Sequence, residues 1–215
     1  MARALGVHEL LSKKYDTLYF TGKWRESFGE PGSNFRMIVW GISGSGKTNF
    51  VLQLCKYLAN FGKVAYDSLE EGDSKSIQQA FMNQRMMDIK GKIILIDRER
   101  IPALTERLKK RKSPKIVVID SIQYAGMSYE DYKTLKELFP KKIFIFISHA
   151  DGKEPDGKAA RQVRYDCDIK VHVNHFKANV ISRFGGNKPM LIWERMQETE
   201  SNNIFSQIND KGILV

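Results

Sequence analysis

One glycine-rich segment constrains the fold of this chain of 215 residues more than any other feature. Residues 41–48 match the pattern G-x-x-x-x-G-K-[ST] at every fixed position. An apolar run at 35–40 predicts a buried strand before the segment, and residues 49–60 have apolar side chains at helical spacing after it. Glycines allow successive backbone N–H groups to point at one anion, and the start of a helix adds partial positive charge there. The motif in this context therefore predicts a phosphate-binding loop.

The same motif assigns roles to particular side chains. Lys47 is expected to reach the β- and γ-phosphates of a nucleotide, and the Thr48 hydroxyl is expected to bind Mg²⁺. The predicted nucleotide-binding residues of the loop and its helix are Gly41, Ser43, Gly44, Ser45, Gly46, Lys47, Thr48 and Asn49. A glycine-rich turn without a ligand is the alternative, and it is disfavoured because both flanking patterns agree with the motif.

The chain alternates short apolar runs with helical patterns as far as residue 148. Strands are predicted at 35–40, 64–67, 92–97, 116–120 and 143–148, and helices at 49–60, 74–87, 102–112 and 129–139. Short runs that are apolar throughout are typical of strands covered on both faces, so we expect an α/β fold with a mostly parallel central sheet flanked by helices. Strand-like runs at 169–173, 178–182 and 190–193 predict a C-terminal antiparallel extension, whereas the polar segment 151–164 is expected to be a loop.

The expected organisation is one domain at 35–200, preceded by a segment at 1–34 that packs on it and followed by a tail at 201–215. Within the first segment we expect a short helix at 7–14, a short strand at 16–21 and a turn at 30–33.

Composition excludes several classes of protein. Apolar residues make up 42% of the chain and charged residues 28%, which is not typical of disordered or collagen-like chains. Cys55 and Cys167 lack the spacing of a zinc site, and no apolar run is long enough to span a membrane. We therefore expect a cytoplasmic protein with no membrane contact. The net charge of +10 favours a polyanionic partner.

Acidic residues follow two of the predicted strands. Asp120 ends the run 116–120, and ligands of open α/β sheets bind where the strands end, so Asp120 is expected to hold Mg²⁺ through a water. Asp97 ends a similar run and is the alternative. Glu70 and Glu71 follow the run 64–67, where a carboxylate would orient the water that attacks a phosphate; a solvated acidic loop is the other interpretation.

Four segments together resemble the RecA-like ATPases, especially the RadA/Sms and DnaB-type branch. They are residues 41–48, 66–71 (YDSLEE), 117–123 (VVIDSIQ) and 181–185 (ISRFG). The resemblance implies a RecA-like P-loop NTPase that uses ATP and Mg²⁺, with Glu70 as the catalytic base and Glu71 secondary. It implies that His149 senses the γ-phosphate, and that Arg183 is an arginine finger acting on a neighbouring subunit. Ile181 departs from the family, which has lysine there.

The resemblance also implies DNA as a partner and a homo-oligomer, either a ring or a filament. The segment 151–164 follows the strand that precedes the second DNA-binding loop of RecA-like proteins, so its cations are the candidate contacts: Lys153, Lys158, Arg161 and Arg164. Their charge is nearly balanced by Asp151, Glu154 and Asp156, and an exposed polar loop is the alternative. The basic run 107–112 is interpreted as a solvated helix end.

The sequence thus predicts an ATP-binding and ATP-hydrolysing protein that acts on single-stranded or double-stranded DNA in recombination, repair or replication, with hydrolysis coupled to assembly. One alternative is a regulatory or assembly ATPase that switches protein partners without moving DNA. Another is a small-molecule kinase with 151–164 as its lid. A loader of the AAA+ class is disfavoured because the C-terminal third has the pattern of strands.

Overall fold

In the computed structural model, which describes residues 3–193, eight strands form one central sheet and helices cover both of its faces. The strands are β1 (Arg36–Trp40), β2 (Val64–Ser68), β3 (Ile93–Asp97), β4 (Ile116–Asp120), β5 (Ile143–Ser148), β6 (Ala150–Asp151), β7 (Glu154–Pro155), β8 (Ile169–Asn174), β9 (Lys177–Ser182) and β10 (Met190–Leu191). The helices are α1 (Val7–Ser12), α2 (Gly22–Phe28), α3 (Lys47–Leu58), α4 (Lys75–Asn83), α5 (Ile101–Lys109), α6 (Ile122–Ala125), α7 (Tyr129–Leu138) and α8 (Lys158–Asp166), with a 3₁₀ turn at Met86–Ile89.

The strand order is β10-β9-β8-β1-β5-β4-β2-β3. All pairs from β3 to β8 are parallel, and β9 and β10 add antiparallel strands at the end. This confirms the predicted mostly parallel sheet with an antiparallel extension. The antiparallel part begins one strand later than expected, because α8 provides the crossover that lets β8 run parallel to β1.

Alternate residues of β1 show how the sheet separates two cores. Met37 and Val39 pack in the first core with α2 and α3, while Ile38 and Trp40 pack in the second with α5, α7 and α8. Every residue of β2, β4 and β5 is buried, as expected for strands covered on both faces. The polar residues in these strands therefore lie at or near the carboxyl ends, where ligands can reach them.

The predicted loop at 151–164 is wrong. Residues 150–155 form the β6–β7 hairpin, and the rest of the segment forms most of α8. One face of α8 packs in the second core through Ala160 and Val163, with Cys167 one turn later. This apolar spacing lies among many charged residues, and the glycines that precede it are typical of a loop.

The N-terminal segment differs from expectation in its detail. The predicted helix forms as α1, which has no buried residue. The predicted strand at 16–21 is wrong: Thr17 makes only an isolated bridge to Gly32, and α2 follows. Aromatic residues from 18 to 28 enter the first core, where the Trp24 and Tyr57 rings stack with centroids 5.2 Å apart.

Two further boundaries concern the ends of elements. The predicted helix at 74–87 ends at Asn83 because Arg85 has a positive φ of 53°, and the 3₁₀ turn takes over. The predicted tail at 201–215, and residues 194–200 of the predicted domain, lie outside the described residues. Within residues 3–193, none of the helices has the length and apolar character needed to cross a lipid bilayer.

Candidate nucleotide-binding site

The glycine-rich segment forms the connection between β1 and α3, as the sequence predicts. Gly44 and Gly46 have positive φ values of 75° and 99°, which side chains other than glycine rarely adopt. Gly41 is required for a different reason: a Cβ there would lie 2.2 Å from the backbone oxygen of Val173. The loop is therefore held tightly against the end of β8.

Lys47 begins α3 and folds its side chain back over the loop. Its Nζ donates to the backbone oxygens of Gly41 and Ile42, at 2.8 and 2.9 Å. Burial lowers the pKa of the Lys47 ammonium, while the nearby carboxylates of Asp120 and Glu70 raise it. The ammonium thus lies at the centre of a site that also holds two acidic groups. An anion in the loop would offer it a charged partner in place of neutral carbonyl groups.

Asp120 lies at the carboxyl end of β4 and is 8% exposed. The Tyr66 hydroxyl donates to its Oδ2 at 2.5 Å. Burial raises the pKa of Asp120 to about 6; the Tyr66 hydrogen bond and Lys47 lower it, and Glu70 and Glu71 raise it further. At neutral pH the group is therefore mainly a carboxylate, which is the form that binds a cation.

The alternative metal residue, Asp97, lies farther from the loop. It ends β3, the outermost strand, and β2 and then β4 separate it from β5 and β1. Its side chain is 57% exposed and accepts a hydrogen bond from the backbone of Asp73. The strand order thus favours Asp120 over Asp97 as the carboxylate of this site.

Glu70 is held beside Asp120 by the backbone. The N–H groups of Leu69 and Glu70 both donate to the Asp120 carbonyl oxygen, at 2.7 and 3.0 Å. The Asp120–Ser121 peptide bond that follows is cis. On the other side, Glu70 Oε2 lies 3.0 Å from His149 Nε2. Glu70 therefore bridges the ends of β2, β4 and β5.

Glu71 faces elsewhere. Its carboxylate accepts a hydrogen bond from Ser76 at the start of α4, and its backbone oxygen accepts one from Arg98 at 2.7 Å. The two neighbouring glutamates therefore differ in position, and Glu70 is the one beside Lys47, Asp120 and His149.

Gln123 is a residue of this site to which the sequence assigns no role. Its Nε2 donates to Ser148 Oγ at 2.9 Å and to the Asp156 carbonyl oxygen at 2.8 Å. Its Oε1 accepts from the His149 backbone N–H at 3.3 Å. Gln123 therefore joins α6, the end of β5 and the β6–β7 hairpin. It lies three residues after Asp120, in the polar continuation of an apolar strand, which is the signal that was available.

The β8–β9 turn forms a clamp over the loop. Its residues His175 and Phe176 have positive φ values of 44° and 53°. The backbone of Phe176 donates to the Ser45 oxygen at 3.1 Å, and a Cβ on Gly46 would lie 2.9 Å from the Phe176 ring. The turn contains no glycine, so the sequence offered no ordinary sign of it.

The residues present suit a hydrated magnesium ion rather than a closed metal cage. Residues 3–193 contain no cluster of three or more histidine, cysteine or acidic side chains. Magnesium is commonly held by one or two carboxylates, waters and substrate phosphates. Asp120 is such a carboxylate, and Thr48, in the first turn of α3, has the hydroxyl. Buried hydroxyl oxygens without a hydrogen-bond partner lie in the same segments, at Ser45, Ser68 and Ser121.

Solved structures share this arrangement of sheet and loop. The ATPase domain of a DnaB-type protein aligns with 72% of this chain and 78% of its own, at 18% identity and a TM-score of 0.52. A KaiC-like protein from the hyperthermophilic archaeon Pyrococcus horikoshii OT3 aligns with 69% of this chain and 78% of its own, at 19% identity and a TM-score of 0.50. The flagellar accessory protein FlaH from Methanocaldococcus jannaschii aligns with 79% of this chain and 88% of its own, at 14% identity and a TM-score of 0.55.

The chain has the RecA-like P-loop fold. The fold predicted from the sequence is thereby confirmed. No model of a known protein family matches the sequence, and no curated protein matches it.

Arg183 lies far from the loop of its own RecA-like sheet. It follows Ser182, which pairs with Ile169 at the start of β8, so it is at the amino edge, meaning the amino-terminal ends of the parallel strands. The phosphate loop is at the opposite, carboxyl edge. The guanidinium of Arg183 is 56% exposed and lies 3.2 Å from Asp168. An arginine in this place can approach only the nucleotide of another subunit.

The candidate nucleic-acid residues of this RecA-like chain fall into two groups. Lys153 in the β6–β7 hairpin and Lys158 at the start of α8 are exposed. Arg161 and Arg164 are paired with acids of the hairpin: Arg161 lies 3.0 Å from Asp151, and Arg164 lies 2.5 Å from Glu154. The Arg164 guanidinium also lies over the Trp40 ring, 5.2 Å from its centroid. These two arginines fasten α8 to its surroundings in the structure.

Proposed function

We propose that this chain is a RecA-like ATPase that binds and hydrolyses ATP with Mg²⁺, acts on DNA, and assembles into a homo-oligomer to do so. The observation that supports it is the convergence of Lys47, Asp120 and Glu70 at the mouth of the phosphate loop, with Glu70 tied to Asp120 through the backbone. The three groups supply positive charge, a cation ligand and a base, which are the parts that phosphoryl transfer to water needs.

Each group has a separate task. The loop N–H groups and Lys47 bind and neutralise the phosphates, and Glu70 orients a water and accepts its proton. His149, within hydrogen-bond distance of Glu70, aims that carboxylate and is near enough to respond to the terminal phosphate. When bound, Mg²⁺ would neutralise charge on the phosphate oxygens, held by Thr48 and by Asp120 through a water.

The place of Arg183 supports assembly. An exposed arginine at the amino edge completes a nucleotide site only if the amino edge of one subunit faces the loop of the next. Hydrolysis would then depend on contact between subunits, in a ring or a filament. Arginines supplied in this way stabilise the charge of the transition state and raise the rate by about 10³ to 10⁵.

DNA is proposed as the partner because the chain is basic and because its motifs resemble those of RecA-like proteins that act on DNA. The names of the similar structures support the ATPase part alone, since one of them is called an ATPase domain. A small-molecule kinase is not proposed, because the segment that would serve as its mobile lid packs into the second core through Ala160 and Val163.

An assay of phosphate release tests this function. Wild-type protein should hydrolyse ATP in the presence of Mg²⁺, faster with DNA, and should elute as a larger species with nucleotide. Lys47→Ala should lose about 10² to 10³ of the rate, because a preorganised charge on the phosphates is removed. Lys56→Ala is the matched control on the same helix, since Lys56 pairs with Asp88 instead.

The outcomes separate the parts of the proposal. Turnover that DNA leaves unchanged would favour the regulatory ATPase over the protein acting on DNA. Equal turnover in wild type and Lys47→Ala would contradict ATP hydrolysis at this loop.

A further inference from the structure

A lysine precedes each of four adjacent parallel strands. Lys92, Lys63, Lys115 and Lys142 come directly before β3, β2, β4 and β5, which are neighbours in that order. The row is continuous at the backbone. Val64 N–H donates to the Lys92 oxygen at 2.8 Å, Ile116 N–H to the Lys63 oxygen at 3.1 Å, and Ile143 N–H to the Lys115 oxygen at 2.9 Å. Adjacent strands are about 4.8 Å apart, so these cations share one short edge of the sheet.

Further cations widen this row. The run 109–112 ends α5 and leads into β4, while Lys90 and Lys141 lie in the turns before β3 and β5. We name the whole set the basic rim; it consists of Lys63, Lys90, Lys92, Lys109, Lys110, Arg111, Lys112, Lys115, Lys141 and Lys142. All are exposed except Lys90, Lys115 and Lys142, which are half-buried.

Few carboxylates balance the basic rim within residues 3–193. Lys109 pairs with Glu106 at 2.7 Å, and no other ion pair of the described residues includes a member of the rim. Lys142 donates instead to Ser113 Oγ at 2.8 Å and to the Pro114 oxygen at 2.7 Å.

Acids near this edge have other partners or lie to one side. Glu30 pairs with Arg25, and Asp168 accepts from Arg36 N–H and Arg183. Asp16 lines a cleft that Lys115 and Lys141 border. The positive charge of the rim is thus mostly uncompensated by the described part of the chain.

Folding does not require charge in this arrangement. Cations at the end of a helix interact favourably with its dipole, which accounts for Lys109 and Lys110 after α5. The lysines that precede β3, β2 and β4 have no such partner, and like charges side by side on neighbouring strands destabilise a sheet. A polyanion on this surface would remove the repulsion.

We propose that the basic rim binds the sugar–phosphate backbone of a nucleic acid, at the sheet edge opposite to the nucleotide site. Contacts from lysines to phosphates carry no base recognition, so binding would be independent of sequence and would weaken with salt. The proposal goes beyond the proposed function, since this contact needs no ATP. It also places the nucleic acid away from Lys153 and Lys158, the exposed cations of the other edge.

Equilibrium binding of a labelled DNA duplex of arbitrary sequence, measured by fluorescence anisotropy over a range of KCl concentrations, tests the rim. The variant is K110Q/R111Q/K112Q, and K63Q/K92Q is a second one in the row itself. The matched control, K153Q/K158Q, removes charge from the carboxyl edge. Each rim variant should bind more weakly, and the slope of log affinity against log salt should fall by about 1 for each lysine–phosphate pair that the substitutions remove. The control should keep the wild-type slope.

Other results would overturn the proposal. If K153Q/K158Q loses affinity and the rim variants do not, the nucleic acid binds at the carboxyl edge. If all variants weaken in proportion to charge removed, only the net charge matters. Binding of the rim to phosphatidylserine vesicles but not to the duplex would assign it to a membrane surface. Loss of the wild-type oligomer in the rim variants alone would assign it to a subunit contact.

Basal ATP hydrolysis separates this inference from the proposed function. The rim variants should keep the wild-type rate without DNA, because the rim is at the other edge of the sheet from Lys47 and Glu70. A chain with no ATPase activity that still binds the duplex through the rim would refute the proposed function and leave the rim in place.

Discussion

Glu70 is held at the mouth of the loop from two directions. Its backbone N–H bonds to the Asp120 carbonyl oxygen, and its carboxylate lies 3.0 Å from His149. Glu71, the next residue, is engaged with Ser76 on α4. Two adjacent carboxylates therefore have different neighbours, and this difference makes their roles separable by experiment.

Replacing each glutamate by glutamine measures that difference. Glu70→Gln should lower kcat by about 10² to 10⁴, because the proton acceptor for the attacking water is lost, while ATP binding persists. Glu71→Gln should stay within a few-fold of wild type. The measurements are steady-state phosphate release and equilibrium binding of a fluorescent ATP analogue. Full activity in Glu70→Gln beside an inactive Glu71→Gln would reverse the assignment of the base.

Asp67 is a second unusual carboxyl group, one residue after Tyr66 on β2. It is fully buried, its Oδ1 accepts from the Glu99 N–H at 3.1 Å, and its Oδ2 has no hydrogen-bond partner among the described residues. Burial raises its pKa to about 7. The folded state therefore holds this proton more tightly than the unfolded state does, and stability falls as pH rises from the unfolded value towards 7.

Asp67→Asn should consequently stabilise the folded chain at pH 8 and have little effect near pH 3. The gain in the free energy of unfolding should grow between these limits by at most about 1.4 kcal/mol per pH unit and level off above pH 7. Urea unfolding of both proteins across this range is the measurement. Glu106→Gln, an exposed acid on α5, is the control, and a gain that does not vary with pH would contradict the account.

At the scale of elements, the β8–β9 turn is what holds the loop in shape. Phe176 donates its backbone N–H to Ser45 and lies with its ring against Gly46, and Val173 closes on Gly41. The phosphate loop therefore depends on a hairpin far along the chain, at the end of the crossover through α8.

Gly41→Ala should disrupt this packing, because the added Cβ would lie 2.2 Å from a backbone oxygen that cannot rotate away. Either the loop or β8 must move, so we expect weaker nucleotide binding and a decrease of about 1–3 kcal/mol in stability. Isothermal titration with ATP and thermal unfolding are the measurements. Gly6→Ala, where a Cβ would meet nothing within 4 Å, is the control and should behave as wild type.

At the scale of the whole molecule, the two edges of the sheet differ in chemistry. The carboxyl edge carries the loop, Asp120, Glu70 and His149, while the amino edge carries Arg183 and the basic rim. Arg183 cannot reach the loop of its own subunit, because β9 ends at the opposite edge. The proposed reaction therefore requires two subunits at each site.

Mixing two inactive variants tests this requirement. Arg183→Ala keeps an intact loop, and Lys47→Ala keeps an intact arginine, so each alone should be nearly inactive. In mixed oligomers an intact loop can meet an intact Arg183, and part of the activity should return. Lys188→Ala, which removes an exposed cation a few residues later, should remain active alone. Mixtures with no more activity than the separate variants would argue against a contribution in trans.

The sequence by itself determined the phosphate loop, its helix and most strands, because these depend on residues close together along the chain. It also identified Asp120 as the end of an apolar strand, and the choice against Asp97 then came from the strand order. The tertiary structure alone decided that Phe176 covers Gly46, that residues 158–166 form a helix, and that four lysines lie in one row. Strand order and hairpin packing are long-range pairings that leave no local pattern, so residues such as Lys63 and Lys92 become neighbours only once the sheet has formed.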